Sequence, residues 1–203
     1  VSAAQNSLPG DLLYGVKLAS EKTKVFVVKA TGNSQAAVQL TLEHASNRSA
    51  EVKQVHKTNP EEVEKTVERL KKTVEEVNEG LKHVSSEHPE IVVGLAKEIT
   101  ETTELITSDL KEVVKEGGYS EATAKGIVET QKAVNKVEID TVETLVNGSQ
   151  VGDEGETRQF VTDFLQEKIR KTLGDSQEGT DALAGLSAGI DAITSTTTDL
   201  TMT

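Results

Sequence analysis

Apolar residues recur along most of the chain at alternating steps of three and four, the spacing that lines one face of an α-helix. The cleanest run is Val63, Val67, Leu70, Val74, Val77, Leu81 and Val84, an unbroken heptad pattern. Val92, Ala96, Ile99, Thr103, Ile106, Leu110 and Val113 repeat it directly afterwards. His88-Pro89 separates the two runs and Gly117-Gly118 ends the second. The pair is therefore predicted to form an antiparallel heptad hairpin over residues 60–116. Glu61 and Lys65, and Glu68 and Lys72, stand four apart in the favourable order, each pair adding ~0.2–0.5 kcal/mol to the helix.

Upstream, Leu12, Val16, Ala19, Thr23, Phe26 and Ala30 share one face of a helix predicted from about Pro9 to Thr31 and closed by Gly32-Asn33. Val38, Leu42, Ala45, Ser49, Val52 and Val55 do the same between Ser34 and Thr58. Asn59-Pro60 stops that helix, because the residue before a proline is pushed out of the helical region. A fifth helix, about Ser120 to Val146, opens on half of a capping box, Ser120 with Thr123. It spreads Ile127, Val134, Val137, Ile139, Val142, Leu145 and Val146 over two faces, as a helix sandwiched between others does. Beyond the polar loop Asn147 to Gly155, Phe160, Val161, Phe164, Leu165, Ile169 and Leu173 predict a sixth helix from about Glu156 to Leu173. A short seventh, Ala182 to Ile193, is weakened by Gly185 and Gly189, and residues 194–203 read as a Thr-rich tail. Helices of ~25 residues would be about 37 Å long. The expected fold is all-α: an elongated bundle of five to seven long antiparallel helices, in one piece or as two stacked hairpin layers, making a single domain over residues 1–193.

Composition narrows the chemistry. Among 203 residues there is no Cys and no Trp, with two Tyr and three Phe, so the core must be aliphatic. The absence of Cys excludes a disulfide scaffold, a thiolate metal site and thiol catalysis. With Lys+Arg 22 against Asp+Glu 34, the net charge of -12 argues against nucleic acid or an anionic membrane surface as partner. Residues 138–203 hold 13 acidic and 4 basic side chains, the pattern of a solvated face. No apolar run approaches the ~20 residues of a spanning helix. The chain starts at Val1 rather than Met, so a segment upstream is expected to have been processed or left out, and a membrane is expected to be reached only through such a segment.

Residues 7–21, Ser-Leu-Pro-Gly-Asp-Leu-Leu-Tyr-Gly-Val-Lys-Leu-Ala-Ser-Glu, resemble the opening of a bacterial domain family of unknown function, DUF5667. Its signature is Ser-x-Pro-Gly-Asp-x-Leu-Tyr-x-x-Lys followed by a Glu. The family's second block, a helix with a Glu, then Ala, an Arg three on and a further Glu, is similar to residues 42–52. The motif positions that carry over are Pro9, Gly10, Asp11, Tyr14, Lys17, Glu21, Glu43, Arg48 and Glu51, within a likeness spanning about residues 5–57. The chain departs at Gly15, where Pro is common, and at Ser49, where a Leu usually follows the Arg and where Ser interrupts the aliphatic stripe. The resemblance implies an extracytoplasmic helical segment behind a signal peptide or a single membrane helix, and it implies no activity. Residues 1–5 are similar to the small-residue stretch just outside such a helix.

Each residue of the first block also has a local structural role to fill. Pro9 suits a helix start, Gly10 permits close approach, and Asp11 can accept orphan N–H groups. Tyr14 would pack inward, with Lys17 and Glu21 paired at i,i+4. A docking surface for another chain is the rival reading of the same block.

His83, Glu87 and His88 are the one candidate metal trio: the first two share a helix face and the third follows at the turn. His44 and His56 lie twelve apart and cannot chelate together locally. The stretch from Asp175 to Asp181 misses the calcium-loop spacing, with Leu186 where the twelfth-position Glu would stand. There is no nucleophile elbow, no phosphate-cradling Gly-rich loop after a strand and no redox thiol, so neither an enzyme nor a cofactor is expected. The expected function is a non-enzymatic extracytoplasmic helical domain, a spacer or sensory region of a bacterial surface protein, acting on a protein or cell-envelope partner. The alternatives are a periplasmic metal- or stress-sensing binder using His83, Glu87 and His88, and a coiled-coil protein that homo-oligomerises through residues 63–114.

Overall fold

The structure, a computed structural model, describes residues 2–88 and 91–148, together with positions 159, 162, 163 and 166. The chain divides into two compact units, Val1–Gly148 and Ser149–Thr203. In the second unit the four described positions are helical, within the stretch predicted as the sixth helix. The seventh helix, the stretch from Asp175 to Asp181 and the Thr-rich tail lie outside the described residues.

In the first unit a short helix α1 (Ser2–Gln5) precedes α2 (Tyr14–Ala30), α3 (Ser34–Thr58), α4 (Val63–Glu87), α5 (Val92–Glu116) and α6 (Glu121–Gly148). A 3-10 turn at Pro60–Glu62 leads into α4. Local chemistry sets the ends. The Asn33 side chain accepts the Ala36 N–H at 3.0 Å and caps α3. Ser120 Oγ accepts the Thr123 N–H at 3.1 Å, the half capping box read from the sequence. Gly117 and Gly118, at φ +68° and +77°, supply the left-handed backbone that closes α5.

Helices α3, α4, α6 and α5 pack in a ring, each chiefly against the two beside it, with α4 and α5 across the diagonal. Cross-helix bonds give the directions. The pairs Gln39–Glu98, Ser49–Asp109 and Lys57–Glu112 advance together, so α3 and α5 run parallel. Lys71–Glu129 and Asn78–Asp140 advance together in α4 and α6. Gln131–Thr107 and Thr103–Glu138 run in opposition in α6 and α5. The core is thus two stacked hairpins, α3–α4 and α5–α6.

The α4–α5 heptad hairpin expected over residues 60–116 is not the packed pair. Both stripes point to the bundle axis, and α4 meets α3 and α6 there. Periodicity identifies the inward face of a helix but not which neighbour it faces.

The stripes themselves are where the pattern put them. Val63, Val67, Leu70, Val74, Val77, Leu81 and Val84 are all buried, as are the seven α5 positions and the six α3 positions. A Cβ on Gly80 would stand 2.7 Å from Val38 Cγ2, so α3 and α4 approach closely there. In α6, Ile127, Val134, Val137 and Leu145 are buried, whereas Ile139 lies exposed on the second face.

Helix α2 is the exception. It begins at Tyr14 rather than near Pro9, because Leu8 to Asp11 form a separate turn closed by Asp11 N–H to Leu8 C=O at 2.9 Å. Pro at the second position and Gly10 at φ +96° at the third are the type II pattern. The face expected to be buried, Leu12, Val16, Ala19, Thr23, Phe26 and Ala30, is exposed throughout, Leu12 to 96% and Phe26 to 72%. The inward face carries Tyr14, Lys17, Leu18, Glu21, Val25 and Val28, and it packs on α3.

Candidate functional site

Five of the motif residues meet at the α2–α3 seam. Glu51, on α3, accepts a hydrogen bond from Tyr14 Oη at 2.6 Å on one carboxylate oxygen. Its other oxygen accepts from Lys17 Nζ and Arg48 Nη1, each at 2.6 Å. The second guanidinium nitrogen of Arg48 pairs with Glu21, and Lys17 Nζ also donates to the Ser7 carbonyl at 3.3 Å. Arg69 from α4 and Arg48 lie 5.3 and 5.5 Å from the centre of the Tyr14 ring, within cation–π range. Tyr14, Arg48 and Glu51 are buried. Burial, and next the bond to the Glu51 carboxylate, push the Tyr14 phenol well above its ordinary value, against the pull of Arg48 and Arg69. The phenol therefore stays a donor.

This cluster explains the reversal of α2. A one-turn slip along α3 would leave the Arg48–Glu51 pair within α3 intact but would take the Tyr14 hydroxyl, Lys17 and Glu21 away from it, and with them the second partner of each charge. The i,i+4 pair expected between Lys17 and Glu21 does not form. Each residue reaches across to α3 instead, Lys17 to Glu51 and Glu21 to Arg48.

The other motif residues have separate placements. Asp11 does not cap α2; its carboxylate accepts the Leu8 N–H at 2.7 Å and fastens the preceding turn. Gly10 allows the close approach expected of it, since a Cβ there would lie 2.6 Å from Asn59 Nδ2 at the corner between α3 and α4. Glu43 is exposed. Ser49, where the family commonly has Leu, is fully buried but donates to Asp109 at 2.7 Å, and Lys53 reaches the same carboxylate at 3.0 Å. The hydroxyl that interrupts the stripe is thereby satisfied from α5.

Beside the cluster, the seam opens into two cavities. One of about 540 Å³ is lined by Leu13, Val16, Ser20, Lys24, Glu43 and His44 among others. A second, of about 460 Å³, is lined by Ser20, Lys24, Val27, Val28 and Leu40. They share Ser20 and Lys24 and so run on from one another along the helix pair. Burial pushes the His44 imidazole below its usual range, while the Glu21 carboxylate pulls it up.

The outer surface of α2 is organised as well. At 3.6 residues per turn, Val16, Ala19, Thr23, Phe26, Val27 and Ala30 form one apolar stripe. Lys22 and Lys29 lie along one edge of it and Lys24 along the other, all exposed.

The candidate metal trio is not gathered into a site. His83 Nε2 and Glu87 Oε2 do share a face, 3.5 Å apart and exposed, while His88 occupies the exposed C-cap of α4. Among the described residues no group of three or more His, Cys, Asp or Glu side chains could hold a metal ion. His56 is elsewhere, beside the Tyr119 ring and 3.7 Å from Glu116.

Arg69 and the flanking lysines escaped the sequence reading, and Ser7 and Asn59 entered it only as the first residue of the family signature and as a helix stop. A usable signal was present: Tyr14, Lys17 and Glu21 recur at helical spacing and face an Arg–Glu pair three apart on the next helix. Among the described residues no helix is long and apolar enough to cross a membrane.

The family model for a domain of unknown function, DUF5667, matches residues 6–171. The likeness therefore extends well past the two motif blocks and takes in α2 to α6. No curated protein and no solved structure matches the chain.

Proposed function

The chain belongs to the DUF5667 family, and we propose that it is a non-enzymatic extracytoplasmic helical domain that works by contact, through the outward face of α2, with a protein or cell-envelope partner. The observation that carries this reading is the orientation of α2. A helix packed on a bundle ordinarily turns its apolar stripe inward. Here the inward side is a satisfied polar cluster, and Phe26, Val27, Val16 and Leu12 stand in solvent. Contiguous apolar surface of this kind marks an interaction site. The stripes of α4 and α5, in contrast, are buried within the chain, which favours this reading over oligomerisation through residues 63–114. The extracytoplasmic part of this reading rests on the family resemblance carried by residues 7–21 and 42–52, which implies a helical segment of that kind.

Site-specific photo-crosslinking in the native host tests the role of α2. A diazirine amino acid at position 26 is expected to give a discrete adduct, while the same probe at the exposed Glu64 on α4 gives none. Equal labelling at both positions, or none at either, overturns the reading.

A further inference from the structure

Taking the contact role of α2 as given, we infer that its outward face docks on an anionic lipid surface, with Phe26, Val27 and Val16 entering the headgroup boundary and Lys22, Lys24 and Lys29 meeting the phosphates. Three observations converge on this partner. The first is the arrangement of charge about the stripe. An interfacial helix lays its apolar face into the membrane plane and keeps basic side chains along the edges, their stems buried and ammonium groups reaching up to the headgroups. Lys22 and Lys29 on one edge and Lys24 on the other have that layout. Among the described residues none of the three has a carboxylate partner, unlike Lys17.

The second is the distribution of charge over the bundle. The chain is acidic as a whole, which argues against an anionic surface. Yet α2 has four lysines to one glutamate, and α3 has three basic residues to two acidic. Helix α5 has three to six and α6 three to five. Helix α2 packs on α3 and α1, whereas α5 packs chiefly on α3 and α6, and α6 on α4 and α5. Packed helices stand ~8–10 Å apart, about one Debye length at physiological salt. The basic face can therefore meet an anionic plane while the acidic helices are largely screened from it.

The third is composition. Protein interfaces are enriched in Trp, Tyr, Phe, Met and Arg and depleted of Lys and Ala. The α2 face has no Trp, Tyr or Arg, and it is built of Lys, Ala, Thr, Val and one Phe. From Val16 to Ala30 it forms a strip about 21 Å long, which a deformable lipid surface covers without needing a matching pocket.

Vesicle flotation of the whole chain tests this. The chain is expected to float with vesicles of equal phosphatidylglycerol and phosphatidylcholine, to stay behind with pure phosphatidylcholine, and to lose binding as salt rises. One surface lysine is worth roughly fivefold in binding to an anionic leaflet. Lys22→Glu with Lys24→Glu should therefore reduce flotation at least about tenfold. Phe26→Ser with Val27→Ser should reduce it comparably, each pair melting as the wild type does. Lys125→Glu with Lys132→Glu, exposed on α6, should leave it unchanged.

Equal loss in the α6 pair, or equal flotation with neutral vesicles, overturns the lipid assignment. So does a dimer in light scattering that Phe26→Ser dissolves, which would make a second copy the partner. If nothing floats but the position-26 probe captures a polypeptide, the contact role stands and the lipid assignment falls. If nothing floats and nothing is captured, both fall.

Discussion

Helices α4 and α2 both pack on α3, yet they are attached by opposite means. Helix α4 buries an unbroken aliphatic stripe, in which Leu70 and Leu81 have no exposed surface. Helix α2 buries Tyr14, Lys17 and Glu21 against Arg48 and Glu51, and leaves its apolar side outside. Aliphatic burial is strong and non-directional and tolerates small shifts of one helix along another. A buried ion cluster is directional: it fixes register and rotation, and adds little net stability for the desolvation it costs. The bundle is therefore where the fold gets its stability, and the cluster is what holds α2 with a chosen face outward.

The contrast breaks most sharply at Glu51. Glu51→Ala leaves Lys17 and Arg48 without their shared carboxylate and should cost about 3–5 kcal/mol. Urea titration would read the loss, and amide exchange should rise first along α2 while the α4 and α5 amides stay protected. Leu70→Ala, a cavity at the bundle axis, should cost about 2–5 kcal/mol. Its signature differs: exchange should rise across α3 to α6 together.

Acid sharpens the comparison from the α4–α6 side. Burial works against the Asp140 carboxylate, but Asn78, Lys82 and Lys136, donating at 2.6, 2.9 and 3.0 Å, hold its pKa at about 2. A carboxylate depressed from 3.8 contributes its stability in full above that value and loses it as the pH falls towards about 2. Melting temperature should drop across that window in the wild type, and Asp140→Asn should flatten that part of the curve. The smallest effect belongs to the outer face of α2. Phe26→Ser with Val27→Ser should change stability by no more than about 0.5 kcal/mol; a loss of several times that in a thermal melt would mean the stripe is core.

The sequence was most informative where burial is purely aliphatic. All the stripe positions of α3, α4 and α5 are inside, because hydrophobicity alone decides which way such a helix faces. It was misleading at α2 for the complementary reason. Tyr14 reads as inward, but Lys17 and Glu21 look like a solvated i,i+4 pair until Arg48 and Glu51 are known to stand opposite, and a periodic pattern cannot distinguish water from a buried partner. The pairing of α4 with α3 and α6 was also out of reach, since a narrow stripe aimed at a bundle axis suits either neighbour. The motif residues themselves were legible as a set; that Lys17 and Glu21 bond across to α3 rather than to each other depends on helix rotation, which no local spacing encodes.

Phe26→Trp tests the central claim most directly. The chain has no Trp, so the new indole is the sole one and reports on a single position. In the free protein its emission should be that of water-exposed indole and iodide should quench it fully. A blue-shifted emission protected from iodide, with the protein alone in solution, would show the α2 stripe buried in the fold and contradict the account.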